Sequence, residues 1–366
     1  MVTNISSFQK GDTMKPKTFK NILITGGSGF IGSNFIHLLV NQDYKVNIIN
    51  VDKLTYAGNP ENLKSIEKMD NYFFYHIDIC DFVALEKVFM KHHIDCVVHF
   101  AAESHVDRSI HGPKDFILTN IVGTFNLLEI CRKNWNFSDN VLFHHISTDE
   151  VYGSLEDEGY FFETTPYDPR SPYSASKASA DHLVSAYFHT YGMPVTISNC
   201  TNNYGPYQFP EKLIPLIILN IKEGKPLPIY GDGKNIRDWL WVDDHCLGIL
   251  KIIQGGKIGD TYNIGGENEW ENITLVKKIC SIMDEKYPRE NKHESLITYV
   301  KDRPGHDKRY AINCDKIKKE LDWSQSVDFE TGLRKTIDWY LENDDWIENI
   351  KSGEYKNWIE LNYGKV

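Results

Sequence analysis

The sequence predicts an α/β fold, a doubly wound parallel sheet with helices on both faces and a smaller C-terminal lobe. Three observations carry this. Short apolar runs recur through the first two hundred residues with helical patterns between them, which is how β–α–β units read. The first run passes at once into a glycine-rich turn and a helical pattern. After Thr201 the alternation gives way to a stretch crowded with aromatic residues, proline and glycine.

In chain order, residues 1–19 mix Lys, Thr, Ser and Asn without an apolar run. They read as a disordered leader rather than a signal peptide, with Met14 an alternative start. Residues 21–25 form the first strand, followed by a helical pattern through Val40. Apolar runs follow at 45–51, which ends in Asp52, and at 72–77, 95–100, 141–146 and 195–200. Residues 203–241 carry Tyr204, Pro206, Tyr207, Phe209, Pro210, Tyr230, Trp239 and Trp241, a composition suited to irregular, ligand-shaping structure. Residues 242–265 read as a helix and a strand that returns to the first sheet, and amphipathic helices are expected around 273–284 and 329–342. The expected division is a leader at 1–19, a nucleotide-binding domain at 20–200 plus 240–265, and a substrate-binding lobe at 201–239 plus 266–366.

Composition narrows the function. The 366 residues carry a net charge of −11, 41% hydrophobic and 25% charged residues. A chain this long buries a sufficient core without disulfides or a structural metal, and the acidic balance argues against a general binder of nucleic acid or anionic membranes. Seven cysteines, none in Cys-x-x-Cys spacing, read as reduced structural thiols of a cytoplasmic protein. The longest apolar stretch, 213–219, contains Pro215 and is far short of a membrane span. No His, Asp or Glu cluster has metal-binding spacing, so no metal is expected.

Between the first strand and helix, Gly27, Gly29 and Gly32 spell Gly-x-Gly-x-x-Gly, and Gly26, Gly29 and Gly32 spell Gly-x-x-Gly-x-x-Gly. Missing Cβ atoms let the backbone approach a pyrophosphate, whose charge the helix N-terminus stabilises. Asp52 lies twenty residues beyond Gly32 at the end of the next strand, where a carboxylate accepts from ribose hydroxyls and disfavours a 2′-phosphate. A Rossmann-type site for NAD rather than NADP follows. Asp78 and Ile79 are placed to cover the adenine. Ala101, Ala102 and Glu103 suit close cofactor passage, with plain strand-end packing as the alternative.

Tyr173 and Lys177 lie four residues apart on one face of a helix begun after Pro172. A tyrosine of pKa near ~10 is a poor base at neutral pH. A lysine charge about 5 Å away, at an effective dielectric of ~20, stabilises phenolate by roughly 3 kcal/mol, or about two pKa units. Thr148 can orient the same substrate hydroxyl, and Asp149 and Glu150 follow it. Ser147 reads as a supporting hydroxyl, and His99, His144 and His145 as structural.

These residues resemble the extended short-chain dehydrogenase/reductase family, in its nucleotide-sugar 4,6-dehydratase branch. The resemblance runs from about residue 21 to 363 and is carried by 51–58, 101–109, 147–153, 202–207, 210–215, 230–233, 237–239 and 302–306. It implies oxidation at C4 by NAD with Tyr173 as base, removal of the C5 proton by Glu150, donation to the departing C6 hydroxyl by Asp149, and return of hydride to C6. It implies a cofactor shell that adds Phe30, Ile31, Lys53, Leu54, Thr55, Phe100, Ser104, Thr119 and Asn203, with Tyr173 and Lys177 also touching the cofactor. For the substrate it implies Ser104, Thr148, Asn202, Lys212, Leu213, Pro228, Ile229, Tyr230, Arg237, Asn272, Asp302, Arg303 and His306, with Arg237 and His306 at the diphosphate. The implied substrate is dTDP-glucose, with UDP-glucose the alternative, and a homodimer is expected. A nucleotide-sugar 4-epimerase would share Tyr173 and Lys177 but has no need of the acid–base pair. A nucleotide-sensing scaffold would not need Tyr173, Lys177, Asp149 and Glu150 intact.

Overall fold

A computed structural model describes residues 16–42, 44–302 and 304–351. Its centre is a parallel sheet built from β1 (Asn21–Thr25), β2 (Asn47–Asp52), β3 (Tyr72–His76), β4 (Cys96–His99), β5 (Leu142–Thr148) and β6 (Val195–Cys200). The chain then leaves the sheet through β7 (Asn202–Tyr204), β8 (Leu227–Tyr230) and β9 (Ile236–Trp241), and returns as β10 (Thr261–Ile264), which pairs with β6. The spatial order is β10-β6-β5-β4-β1-β2-β3. Winding reverses between β1 and β4, where a crevice opens beyond the strands' C-terminal ends.

Side chains of successive strand residues point to opposite faces, and both faces are covered. Ile22 and Ile24 pack with Phe35 and Leu39 of α1 (Phe30–Asn41), while Leu23 packs on the other side with residues of α2 (Phe82–His92). Burial on both sides is why these strands read as unbroken apolar runs. The short helices α3 (Val106–His111) and α4 (Pro113–Phe116) lead through a π-helical segment, Ile117–Gly123, into α5 (Thr124–Asn134). The long helix α6 (Pro172–Tyr191) begins with Pro at its first position and a Ser171–Ser174 capping box, and stops at Gly192, whose φ of 69° suits glycine.

The second unit of packing gathers α7 (Leu213–Glu223), α9 (Asn272–Lys286), α11 (Phe329–Glu342) and α12 (Asp344–Lys351) around Trp239, Trp241 and Tyr204. It includes a three-stranded sheet, β11 (Glu269–Glu271)-β9-β7, and a parallel pair, β12 (Ile297–Val300) with β8. Helix α8 (Val242–Gly255) carries the chain back to β10 and packs beside α1, while α10 (Asp315–Leu321) packs near β10.

Two expectations change. The leader is shorter than 1–19: the Lys17 amide donates to Gln254 O at 2.8 Å and Phe19 is buried in the core, because an aromatic side chain and a backbone donor next to β1 find partners there. Residues 1–15 and 352–366 lie outside the described residues. Strand β5 runs two residues past Ile146, pairing Thr148 with Cys200, which sets Thr148 on a rigid strand end. His99 and His144 are buried and hydrogen-bonded to threonines, His99 to Thr25 and Thr124, His144 to Thr196. Among the described residues no helix is long and apolar enough to cross a membrane, and no group of three side chains could hold a metal ion.

Candidate active site

The crevice encloses about 290 Å³ and is walled by the C-terminal ends of β1, β2, β4, β5 and β6, by α6, and by residues 202–212 from the lobe. The first wall is made of backbone. Gly26 has a φ of 71°, and a Cβ there would lie 2.7 Å from the main chain of Ala101. A Cβ on Gly32 would lie 2.3 Å from the Gly26 carbonyl oxygen. Gly29 is the N-cap of α1 and no side chain caps the helix, so its first-turn N–H groups face the crevice as an anion site. Asp52 accepts from the Ser28 amide at 2.9 Å and the Leu54 amide at 2.8 Å. Burial raises its pKa while those two donors lower it. A loop that only glycine can close, an uncapped helix start and a carboxylate at the next strand end together fit a dinucleotide such as NAD.

Nearly all of the expected cofactor shell comes together here: Gly26, Gly29, Phe30, Ile31, Gly32, Asp52, Lys53, Thr55, Asp78, Ile79, Phe100, Ala101, Ala102, Glu103, Ser104, Thr119 and Asn203 line the crevice. Lys53 and Asp78 pair across it at 2.8 Å. Leu54 does not line it; its amide holds Asp52 instead, at a positive φ of 52°.

The opposite wall is made of side chains. Thr148, Asp149, Glu150, Tyr173 and Lys177 all line the same space. The Thr148 hydroxyl donates to Asp149 Oδ1 at 3.3 Å and accepts from the Glu150 amide at 3.3 Å. Asp149 is buried, and burial followed by the Glu150 charge pushes its pKa well above the usual carboxylate range. Asp238 adds to this from behind, itself raised to about 6 by burial against three backbone donors. The Tyr173 phenol is also pushed up, by burial and then by Glu150. This corrects the expectation that the Lys177 charge would bring it down: the influence that lowers it is the Thr148 side chain. The Lys177 ammonium donates to Ile146 O at 2.8 Å and lies 3.4 Å from His145 Nε2, so part of its charge is directed into the sheet.

Of the expected substrate residues, Ser104, Thr148, Asn202 and Lys212 line the crevice, and Lys212 Nζ donates to Ser104 O at 3.1 Å. Leu213, Pro228, Ile229 and Asn272 stand outside this wall. Tyr230, Asp302 and His306 form their own group: His306 Nδ1 is 2.6 Å from Asp302 Oδ1, and Tyr230 donates to Asp107 Oδ2 at 3.2 Å. Arg237, expected at a diphosphate, donates here to Ile236 O and Asp307 O and covers the Tyr310 ring at 4.4 Å, with its charge opposing the rise at Asp149. Arg303 lies outside the described residues. Trp239 is buried in the lobe core, as its packing reading implies.

Sequence reasoning missed Gln208 on the lobe wall and gave no binding role to Phe209 and Glu211, which also line it. Buried Glu211 takes the Arg108 Nε–H at 3.1 Å, and Arg108 covers the Tyr56 ring at 3.5 Å. These three come from separate sequence stretches, and nothing in their spacing says that they meet.

Fold and site together define a dinucleotide-dependent enzyme of the extended short-chain dehydrogenase/reductase type. The family described as GDP-mannose 4,6 dehydratase matches residues 23–336. A dTDP-glucose 4,6-dehydratase of Shigella flexneri is 56% identical over 356 residues, covering 93% of this chain and 98% of that one. The crystal structure of a Bacillus anthracis dTDP-glucose 4,6-dehydratase in complex with NAD superposes with a TM-score of 0.82 at 46% identity, covering 91% of this chain and 100% of that one. That of a Streptomyces venezuelae dTDP-glucose 4,6-dehydratase with NAD and dTDP bound gives 0.84 at 44%, covering 90% and 100%. The chain belongs to this nucleotide-sugar dehydratase family and, within it, to the dTDP-glucose 4,6-dehydratases.

Proposed function

We propose that the chain converts dTDP-glucose to dTDP-4-keto-6-deoxyglucose, a hydro-lyase reaction made of C4 oxidation, loss of water across C5 and C6, and hydride return to C6. The observation that carries this is the Asp149–Glu150 pair beside Thr148 and Tyr173 in one crevice. Oxidation alone needs one base; elimination needs a further base and an acid.

Gly26, Gly29, Gly32, Asp52 and Asp78 would hold NAD, which when bound would supply a hydride acceptor for C4 and a hydride donor for C6, with no net redox change. Tyr173 takes the 4-hydroxyl proton while Thr148 orients that hydroxyl. Burial and the Glu150 charge oppose the phenolate and the Thr148 side chain favours it; the cation of Lys177, one helical turn along, is assigned to favour it as well. The C4 ketone acidifies C5–H, and Glu150 takes that proton. Asp149, kept protonated by burial and by the neighbouring Glu150 charge, gives its proton to the C6 hydroxyl, which leaves as water. Glu150 returns its proton to C5. Tyr173 gains one proton and Asp149 loses one, so the site's proton count is unchanged over the cycle. Two adjacent carboxyls serve as acid and base because their surroundings separate their protonation states.

The seven free thiols support a cytoplasmic setting. Exposed Ile117, Leu118, Val122 and Phe125 support a homodimer, measurable by light scattering. The activity is tested by incubating the purified protein with dTDP-glucose and, separately, UDP-glucose, and identifying products by mass and NMR. Loss of one water from dTDP-glucose with a C6 methyl group is the expected result. A C4 epimer of unchanged mass would overturn the reading.

A further inference from the structure

Lys177 lines the crevice beside Tyr173, and only 4% of its surface is exposed. A buried ammonium persists only beside an opposite charge or a set of acceptors. Its nearest partners, Ile146 O at 2.8 Å and His145 Nε2 at 3.4 Å, are both uncharged when the histidine is neutral. His145 is itself wholly buried, with burial and then the Lys177 charge pushing its pKa well down, so it is neutral. The carboxylate that answers the lysine lies one layer deeper. Asp181 Oδ1 stands 3.2 Å from the same His145 Nε2, one helical turn beyond Lys177 on α6. Asp181 is 2% exposed. Its other oxygen accepts from Ser147 Oγ at 2.7 Å and Tyr167 OH at 3.0 Å; burial raises its pKa, and the Lys177 charge and these two donors oppose that rise in favour of the ionised form.

We propose that Asp181, which lies with Lys177 against the same His145 Nε2, is the buried counter-ion that keeps Lys177 protonated for catalysis, and that it is a positioning residue for the reaction rather than a catalytic one. This rests on the reading of Lys177 as the cation that favours the Tyr173 phenolate. The inner triad closes from both elements. The turn of α6 that follows Lys177 contributes Asp181, and β5 contributes His145 and, through Ser147, the clamp on Asp181. A neutral histidine carries one ring proton. His145 Nε2 faces both Lys177 and Asp181 and cannot bond both, and neither His145 Nδ1 nor Asp181 Oδ1 has a protein hydrogen-bond partner, so the lysine and the carboxylate act on each other through space.

The other titratable groups around Lys177 do not replace Asp181. On α6 there is Tyr173, whose phenolate the lysine is to favour and which, as the neutral phenol, supplies no charge to hold the lysine in advance. On β6 there is Cys200, whose thiol is pushed to about 12 and stays neutral. On β4 there is His99, pushed down by burial, His145 and Lys177. At the end of β5, Asp149 is held protonated, and Glu150 is assigned to the substrate. Burial lowers the Lys177 pKa and Asp181 is the first influence that raises it.

Asp181→Asn keeps the shape and removes the charge. In the wild type, turnover should fall at high pH as Lys177 loses its proton. In the variant, the alkaline limb of the kcat/KM profile should move at least one pH unit lower, with NAD content retained and KM for dTDP-glucose within about threefold. A folded, NAD-containing variant whose profile overlays the wild type would overturn the proposal. A thermal-unfolding cycle of Asp181→Asn, Lys177→Met and the double variant reads the same pairing without activity. Removing one buried partner strands the other, so the double variant should melt higher than either single one. Melting effects that simply add, or a double variant no more stable than Asp181→Asn, would overturn the pairing. Wild-type turnover tests the assigned reaction separately.

Discussion

The two walls of the crevice are built differently. The cofactor wall is backbone: a turn that only glycine closes, an uncapped helix start, and Asp52 held by two amides. The chemical wall is side chains on a strand end and a helix, where burial and neighbouring charge separate Asp149 from Glu150. A backbone site tolerates loss of side chains and rejects added atoms. A side-chain site fails with the loss of a single polar atom.

The largest effect should come from the chemical wall. Tyr173→Phe removes one oxygen, and both C4 oxidation and product formation should fall by about 10²–10⁴-fold, the range of a lost general base, measured as NADH absorbance and product mass. An unchanged oxidation step would show that another group takes the 4-hydroxyl proton. Asp149→Asn should lower product formation by about 10²-fold while C4 oxidation survives. It should also change the pH dependence of stability. The folded pKa of Asp149 lies above the unfolded value of about 3.9, so the native state holds a proton that the unfolded chain releases. Stability contributed by that proton is present below the unfolded value and is lost as pH rises through the folded one. Thermal unfolding across a pH series should therefore show a shallower alkaline decline in the Asn variant. An identical decline would mean that Asp149 is not held protonated.

On the cofactor wall, adding is what should hurt. Gly32→Ala puts a methyl group 2.3 Å from the Gly26 carbonyl oxygen, and overpacking of this kind costs about 1–3 kcal/mol. Purified variant should lack NAD and melt lower; full NAD content would break the backbone account. The smallest effect should follow Lys53→Ala. The Lys53–Asp78 pair is half exposed, so its loss should change stability by about 0–1 kcal/mol and leave NAD retention within a few-fold by equilibrium dialysis.

The same division explains what the sequence disclosed. The sheet was legible because strands covered on both faces carry consecutive apolar residues, as Ile22, Leu23 and Ile24 do. The cofactor wall was legible because Gly26, Gly29, Gly32 and Asp52 act through local spacing, and Tyr173 and Lys177 through one helical turn. Glu211, Arg108 and Tyr56 were not, since their meeting depends on how the lobe packs over α3. Nor was the Lys177–His145–Asp181 triad. Sequence reading left His145 structural because the ring's neighbours are set by strand-to-helix packing. The ordered residues 17–19 were hidden by a polar composition that gives no sign of Phe19 entering the core.

The claim at the centre of this account is that Glu150 and Asp149 divide elimination between them after Tyr173 has begun oxidation. Glu150→Gln tests it most directly, in a single turnover with dTDP-glucose in deuterium oxide, following NADH absorbance, C5 deuterium and product together. With folding and NAD content confirmed, NADH should form and persist, C5 exchange should collapse, and dTDP-4-keto-6-deoxyglucose should appear about 10²-fold more slowly or worse. Product formed at the wild-type rate with normal C5 exchange would show that Glu150 is not the base.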